Sequence, residues 1–483
     1  MFDIINLRIV AKVISRILFI IAASLLACAG IALLYGESTI PFLITVTISL
    51  FGAGILFPLG RQIDPEATLQ RKDAYITVTL SWLLISLTGS LPYIISGAIP
   101  TFTDAFFESV SGFTTTGASI LTNIEVLPKS ILFWRSLTHW IGGIGIIVLV
   151  ILVMPTLQIG GYHLFTLESS LQEKIQPKIQ AVGIRLLLIY IGLTAAETVL
   201  LLLGNMSLFD SVCHSFGTVA TGGFSPKNTS ISGYSPYIQY IIMIFMLLAG
   251  TSFVIHYFLL KGNFKKIRCN DELRLYFSAI LFIGGIITFM LFLQMDKPFE
   301  ESFREAYFQV ISIITCTGFA TADYMVWPQI AWILIFFSMF LGGSTGSTAG
   351  GIKMARHVIL LKNIGRTFRH LLSPNAILPM KLNKKSISDE NNNSILTFIL
   401  VYLLIFVAGT ILMLLTGLKP EEAGSSVATC MAGIGPGLGS VGPAGNFAHI
   451  STAGKLILPV LMILGRLEIY TILILFSGKF WTE

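Results

Sequence analysis

The chain has 483 residues, of which 54% are hydrophobic and 12% charged, and its net charge is +6. Soluble globular domains carry about 25% charged residues, so this composition excludes a water-soluble enzyme, and 35 Phe in so apolar a chain exclude intrinsic disorder. What remains is a polytopic membrane protein, whose positive charge belongs to cytoplasmic loops and not to a nucleic-acid surface. Cys28, Cys213, Cys269, Cys316 and Cys430 lie far apart with no Cys/His cluster, and read as thiols without a metal or a disulfide framework.

A spanning helix needs about 20 apolar residues. Such runs at 12–35, 40–60, 75–97, 130–154, 183–204, 236–260, 275–295, 329–361, 395–417 and 452–478 predict ten spans. The first run is too long for a signal peptide. Basic loops alternate with semi-apolar ones. The N-terminus, 60–74, 156–185, 261–274, 353–394 and Lys479 hold 23 of the 31 basic residues, all on one side if ten spans alternate. The positive-inside rule then places both termini in the cytoplasm. The basic block 353–394, with a linker-like NNNS at 391–394, suits membrane lipid headgroups or a docked partner.

The loops on the opposite side repeat. Each is a short amphipathic stretch with an early acid, followed by a Thr/Gly-rich turn. Aligned on Gly117, Gly222, Gly318 and Gly435, the acids Asp104, Asp210, Glu305 and Glu422 stand 12 or 13 residues upstream. An internal repeat of span, half-helix, turn and span follows. It divides the chain into two leading spans (1–74) and repeats at 75–182, 183–274, 275–394 and 395–483.

Non-helical backbone at membrane depth is tolerated only where it is buried in protein or lines a water-filled path. Four such turns around one axis can replace the hydration shell of a cation with backbone carbonyls, and glycine permits the close approach. Thr116, Thr221 and Thr317 add hydroxyl oxygens. The half-helices aim their partially negative C-terminal ends at the ion, and the acids can raise cation concentration at the mouth or simply favour the helix N-termini.

Two further features stand inside apolar runs. GGSTGSTAGG at 342–351 is too glycine-rich for a plain helix. It is not a phosphate-binding loop, because Ile352 separates its last glycine from Lys353 and no strand precedes it. It reads either as a packing kink or as a mobile loop that blocks the path. Arg466 lies near mid-span, where a guanidinium is costly unless it meets water or a partner, and pairing with Glu468 two residues on is unfavourable on a helix. Glu197, His139 and His256 read as structural, and Arg135 with His139 as ties for a turn. Two other classes compete with a cation path. A solute transporter with Gly-broken helices should show two corresponding broken spans, and only one is apparent. A hydrolase built on Ser344 or Ser347 lacks a convincing base partner.

The turns SGFTTTGAS, GTVATGGFS, TCTGFAT and GIGPGLGS resemble the four filter segments of the Trk/Ktr/HKT superfamily of potassium transporters, and the two leading spans resemble its TrkH/TrkG-type membrane subunits. The resemblance implies an all-α fold with ten transmembrane helices around one central pore, K+ as the transported ion, no enzymatic activity and no catalytic cofactor. It implies a K+ filter formed by Thr115, Thr116 and Gly117, by Ala220, Thr221 and Gly222, by Cys316, Thr317 and Gly318, and by Gly433, Ile434 and Gly435. Gly433 stands where the family usually has Asn, and glycine in all four turns resembles the K+-selective members over the Na+-permeable ones. It also implies a gate at Gly343, Ser344, Thr345, Gly346, Ser347, Thr348, Ala349, Gly350 and Lys353, with Arg466 as a barrier in the pore. Implied partners are a second copy of the chain, as a homodimer, and a cytoplasmic nucleotide-binding regulatory ring of the TrkA type. The implied location is the bacterial inner membrane.

Overall fold

The computed structural model describes residues 5–61, 70–148 and 179–482. Two long helices lead, α1 (Leu7–Leu34) and α2 (Ile40–Arg61), packed along each other. The succession of long helix, short helix, turn and helix then recurs. It comprises α3 (Arg71–Ile95), α4 (Phe102–Phe113) and α5 (Lys129–Val148), then α6 (Ile179–Leu203), α7 (Leu208–Val219), α8 (Pro236–Ala249) and α9 (Phe253–Leu260). Next come α10 (Asp271–Gln294), α11 (Phe299–Ile314), α12 (Gln329–Ser338) and α13 (Met354–Leu372). The last set is α14 (Asp389–Leu415), α15 (Pro420–Ala432) and α16 (Thr452–Arg466). A two-residue hairpin, Lys381–Leu382 with Lys385–Ser386, lies between α13 and α14.

The long and short helices solve opposite problems. Among the described residues six helices are long and apolar enough to cross a membrane. They turn Leu33, Phe51, Phe282 and Leu415 outward, each at least 70% exposed, which only a lipid surround makes favourable. The short helices α4, α7, α11 and α15 are instead sheathed by neighbours, with Phe107, Val110, Cys213, Phe308, Val310 and Cys430 fully buried. Each starts with an acid in its first turn: Asp104, Asp210, Glu300 or Glu421.

The structure corrects the expected spans in three places. Residues 236–260 are not one helix, because α8 and α9 meet at 100° across Gly250. The last apolar run also breaks, with α16 and Tyr470–Phe476 at 108° around Glu468, which takes a left-handed φ of 59°. Residues 391–394 are not a linker but the start of α14, where Ser388 caps Asn391 and Asn392 exchanges hydrogen bonds with Asn363 of α13. The end of the expected span 130–154 and most of the basic loop 156–185 fall outside the described residues.

Candidate functional site

The four short helices end in one and the same way. The N–H groups of Thr116, Gly222, Thr317 and Ile434 donate to the carbonyls of Ser111, Gly217, Ser312 and Thr429, five residues back, at 2.8–3.0 Å. This is the 6→1 bond of a Schellman cap, and it requires a left-handed residue before the donor. Thr115 (φ 53°), Thr221 (φ 54°), Cys316 (φ 58°) and Gly433 (φ 69°) fill that place. A β-branched residue in this region costs on the order of 1–3 kcal/mol and persists only where its surroundings fix it. Thr115 and Thr221 are indeed buried to within 1%. One step beyond the donor, Gly117, Gly223, Gly318 and Gly435 all have positive φ, between 80° and 100°.

The second turn is therefore registered on Gly223, not on Gly222 as the sequence alignment has it. Ala220 moves out of the set and caps the helix, as Thr114 and Thr315 do. With this register all four acids stand 13 residues before their glycines. Gly222 is glycine for a different reason, since a Cβ there would overlap the His139 ring.

The equivalent residues meet in a closed ring. A Cβ on Gly117 would overlap the Gly222 carbonyl oxygen, one on Gly223 the Thr317 oxygen, and one on Gly318 the Ile434 oxygen. A Cβ on Gly435 would crowd the Thr116 oxygen at 2.9 Å, which returns the series to the first turn. Each turn thus sets its glycine against the preceding-position carbonyl of the next. A cavity of about 190 Å³ opens above the ring, lined by Gly117, Gly223, Gly318 and Gly435 among others. The threonine hydroxyls bind within their own turns, Thr116 to Thr114 and Thr317 to Thr315 at 2.8 Å, and Thr221 to the Ala220 carbonyl at 2.6 Å.

Behind the ring, each short helix commits a buried polar side chain that the sequence reading passed over. Glu108 accepts from the Ile120 N–H and the Ser119 hydroxyl at 3.0 Å. His214 bonds the Ser225 hydroxyl at 3.0 Å, and Gln309 donates to the Ala322 carbonyl at 3.0 Å. These three stand nine residues before their glycines, a signal visible only after the second turn is registered on Gly223. In the fourth turn Ser425 accepts from the Leu438 N–H at 2.8 Å. Arg135 ties the first turn to the second: it pairs with Glu108 at 2.6 Å, donates to the Ser225 carbonyl at 3.0 Å and lies over the Phe224 ring. His139 stacks on that same ring. His256 bonds the Leu248 carbonyl, whereas buried Glu197 has no hydrogen-bond partner among the described residues.

Three of the four outer acids are engaged within the protein. Lys455 pairs with Asp104 and Lys297 with Glu305, each at 2.7 Å, and Glu422 accepts from the Lys419 and Ser440 N–H groups.

Below the ring, residues 342–351 form a buried loop between α12 and α13. Gly342, Gly346 and Gly351 have positive φ, as does Lys353, whose ammonium donates to the Ala349 carbonyl. The Thr348 hydroxyl bonds the Val219 carbonyl of the second short helix at 3.0 Å. A Cβ on Gly350 would overlap the Ala432 oxygen of the fourth, and one on Gly351 would stand 3.7 Å from Cys316 Sγ of the third. Ser344 N donates to the Gly250 carbonyl at 2.8 Å, and Phe253 N to the Gly346 carbonyl at 3.1 Å, so the loop sits in the break between α8 and α9. Arg466, buried to 7% exposure, donates to the Thr348 carbonyl at 2.8 Å and the Gly142 carbonyl at 3.0 Å. Glu468 pairs instead with Arg356 of α13. Among the described residues no group of His, Cys, Asp and Glu is placed to hold a metal ion.

The TrkH cation transport protein family matches residues 44–483. The chain belongs to this family. It is 35% identical to the Trk system potassium uptake protein TrkH of Salmonella typhimurium, over 99% of this chain and 100% of that one. It is 32% identical to TrkG of Escherichia coli K12, over 99% of each. The crystal structure of the potassium transporter TrkH from Vibrio parahaemolyticus superposes with a TM-score of 0.90, at 34% identity over 98% of this chain and 99% of that one.

Proposed function

We propose that this protein takes up potassium across the bacterial inner membrane through a pore whose filter is the four-turn ring. The observation that carries the reading is the closed series of glycine-to-carbonyl contacts through Gly117, Gly223, Gly318 and Gly435. A cation entering such a ring exchanges its hydration shell for fixed carbonyl dipoles, with no side chain between turn and turn. The path is built from ten spans: two that lead, and four units at 75–182, 183–274, 275–394 and 395–483. Both termini lie in the cytoplasm. The loop from Gly343 to Gly350, with Lys353, is the gate, and Arg466 serves it twice, as a hydrogen-bond latch on Thr348 and as a positive charge that keeps ions from lodging below the filter. Its likeness to TrkH-type subunits supports a homodimer under a cytoplasmic nucleotide-binding ring, from which nucleotide control would come.

The test is growth of a potassium-uptake-deficient bacterium at low K+, expressing this chain with its regulatory subunit. The reading expects growth that Gly223→Ser abolishes. Absence of growth with well-expressed, membrane-inserted protein overturns it.

A further inference from the structure

The loop below the ring carries five glycines in ten residues, and few of its hydrogen bonds are internal. Its position is therefore set by groups outside it, and one of these has no part in the path described above. Glu272, in the first turn of α10, is 1% exposed. One of its carboxylate oxygens accepts from the Thr345 N–H at 2.6 Å, the Thr345 hydroxyl at 3.1 Å and the Ala355 N–H at 3.0 Å. Thr345 lies in the loop, and Ala355 is the second residue of α13. A single oxygen thus joins the loop to the start of the helix that follows it, and anchors both to a neighbouring helix.

The arrangement answers a local need. The residue before α13, Lys353, provides no side-chain cap; the Met354 N–H donates to the Gly343 carbonyl, and the Ala355 N–H would be orphaned without Glu272. Glu272 caps it from another helix, and a carboxylate there suits the positive end of the α13 dipole. The cap holds only while Thr345 and Ala355 stay at the same oxygen. Movement of the loop away from the ring strips two of the three hydrogen bonds from a buried carboxylate whose other oxygen already has no hydrogen-bond partner among the described residues. Charge-assisted bonds to a buried group are among the strongest available to a protein.

We infer that Glu272 is the positioning residue that latches the gate closed, by holding Thr345 of the loop and Ala355 of α13 on one carboxylate oxygen. This rests on the reading of 343–350 as a gate. The Gln variant keeps the shape but loses the charge, and the Ala variant removes the acceptor altogether.

The experiment compares K+ efflux from proteoliposomes containing the full-length chain, without a regulatory subunit, for wild type, Glu272→Gln, Glu272→Ala and a protein shortened within 344–349. Peptide-resolved labelling of Cys316 by a small thiol reagent is measured on the same samples, because that thiol is fully buried in this arrangement, next to Gly351 of the loop. Both Glu272 variants are expected to raise efflux and Cys316 labelling about tenfold, equivalent to about 1.4 kcal/mol. If the shortened loop raises efflux and the Glu272 variants change neither readout, the latch is overturned and the gate stands. If the shortened loop also leaves efflux unchanged, the gate reading fails and the latch with it. Lower efflux from Glu272→Gln with an unchanged melting temperature likewise overturns the latch, since the carboxylate then serves conduction.

Discussion

Arg466 separates two physical roles that a positive charge below a filter can play. Its guanidinium makes two charge-assisted bonds, to the Thr348 carbonyl of the loop and to the Gly142 carbonyl of α5. Only the first breaks when the loop moves, because Gly142 belongs to a helix outside it. A hydrogen bond to a charged group contributes about 1.5–3 kcal/mol, so loss of this one shifts the closed-to-open ratio by roughly 10- to 150-fold. An electrostatic barrier would act elsewhere: it would change how fast ions pass through an open pore, not how often the pore is open. Arg466→Gln removes both effects. Arg466→Lys keeps the charge but replaces a planar fork that reaches two carbonyls with a compact head. Single-channel recording in planar bilayers reads the two quantities independently. Arg466→Gln is expected to raise both open probability and unitary conductance, and Arg466→Lys to raise open probability with conductance near wild type. Wild-type open probability in Arg466→Gln refutes the latch, and wild-type conductance in the same variant refutes the barrier.

The two adjacent glycines of the second turn answer to different neighbours, so Gly222→Ala and Gly223→Ala should both impair K+ uptake, but His139→Ala should restore uptake to the first only. Equal rescue of both, measured as growth at low K+, would contradict the revised register. Glu108→Leu leaves Arg135 buried without its partner and is expected to lower stability by about 3–5 kcal/mol. The double variant with Arg135→Leu should recover much of that in thermal melts of detergent-solubilised protein. Glu468→Gln weakens the buried pair with Arg356 and should raise K+ efflux from proteoliposomes, whereas unchanged efflux would mean that the elbow after α16 is independent of α13.

Much of this architecture is legible in the sequence because the bilayer imposes it. Apolar runs of spanning length and basic loops in alternation follow from lipid alone, and the four acid-to-glycine spacings mark the turns. The register of the second turn is ambiguous in the sequence, because TGG offers two glycines, and the cap bond from Gly222 to Gly217 and the positive φ of Gly223 tell them apart. The breaks at Gly250 and Glu468 are hidden for a related reason: each lies within a run apolar enough to span, and the groups that meet the bend, Ser344 of the loop and Arg356, are remote in sequence. Glu272 is hidden because its partners are backbone N–H groups more than 70 residues away, and backbone carries no sequence signal.

The ring and the loop are both rich in glycine, yet their glycines do opposite work. In the ring, positive φ at Gly117, Gly223, Gly318 and Gly435 lets backbone press on backbone, and each turn is held by its own helix cap and by a buried side chain behind it. Displacing one turn breaks bonds within that turn and opens the contacts to both neighbours, so the ring resists as a unit. In the loop, glycine supplies freedom without comparable closure. Ser344 is held by Gly250, Thr345 by Glu272, and Thr348 by Arg466 and the second short helix, and these partners belong to separate helices. The strain of two left-handed threonines in the ring is held by the cap bonds and the burial of their turns. The loop is held by a few polar contacts to separate elements, and it is the part that the proposed gating would release through a small displacement of α13 or α16.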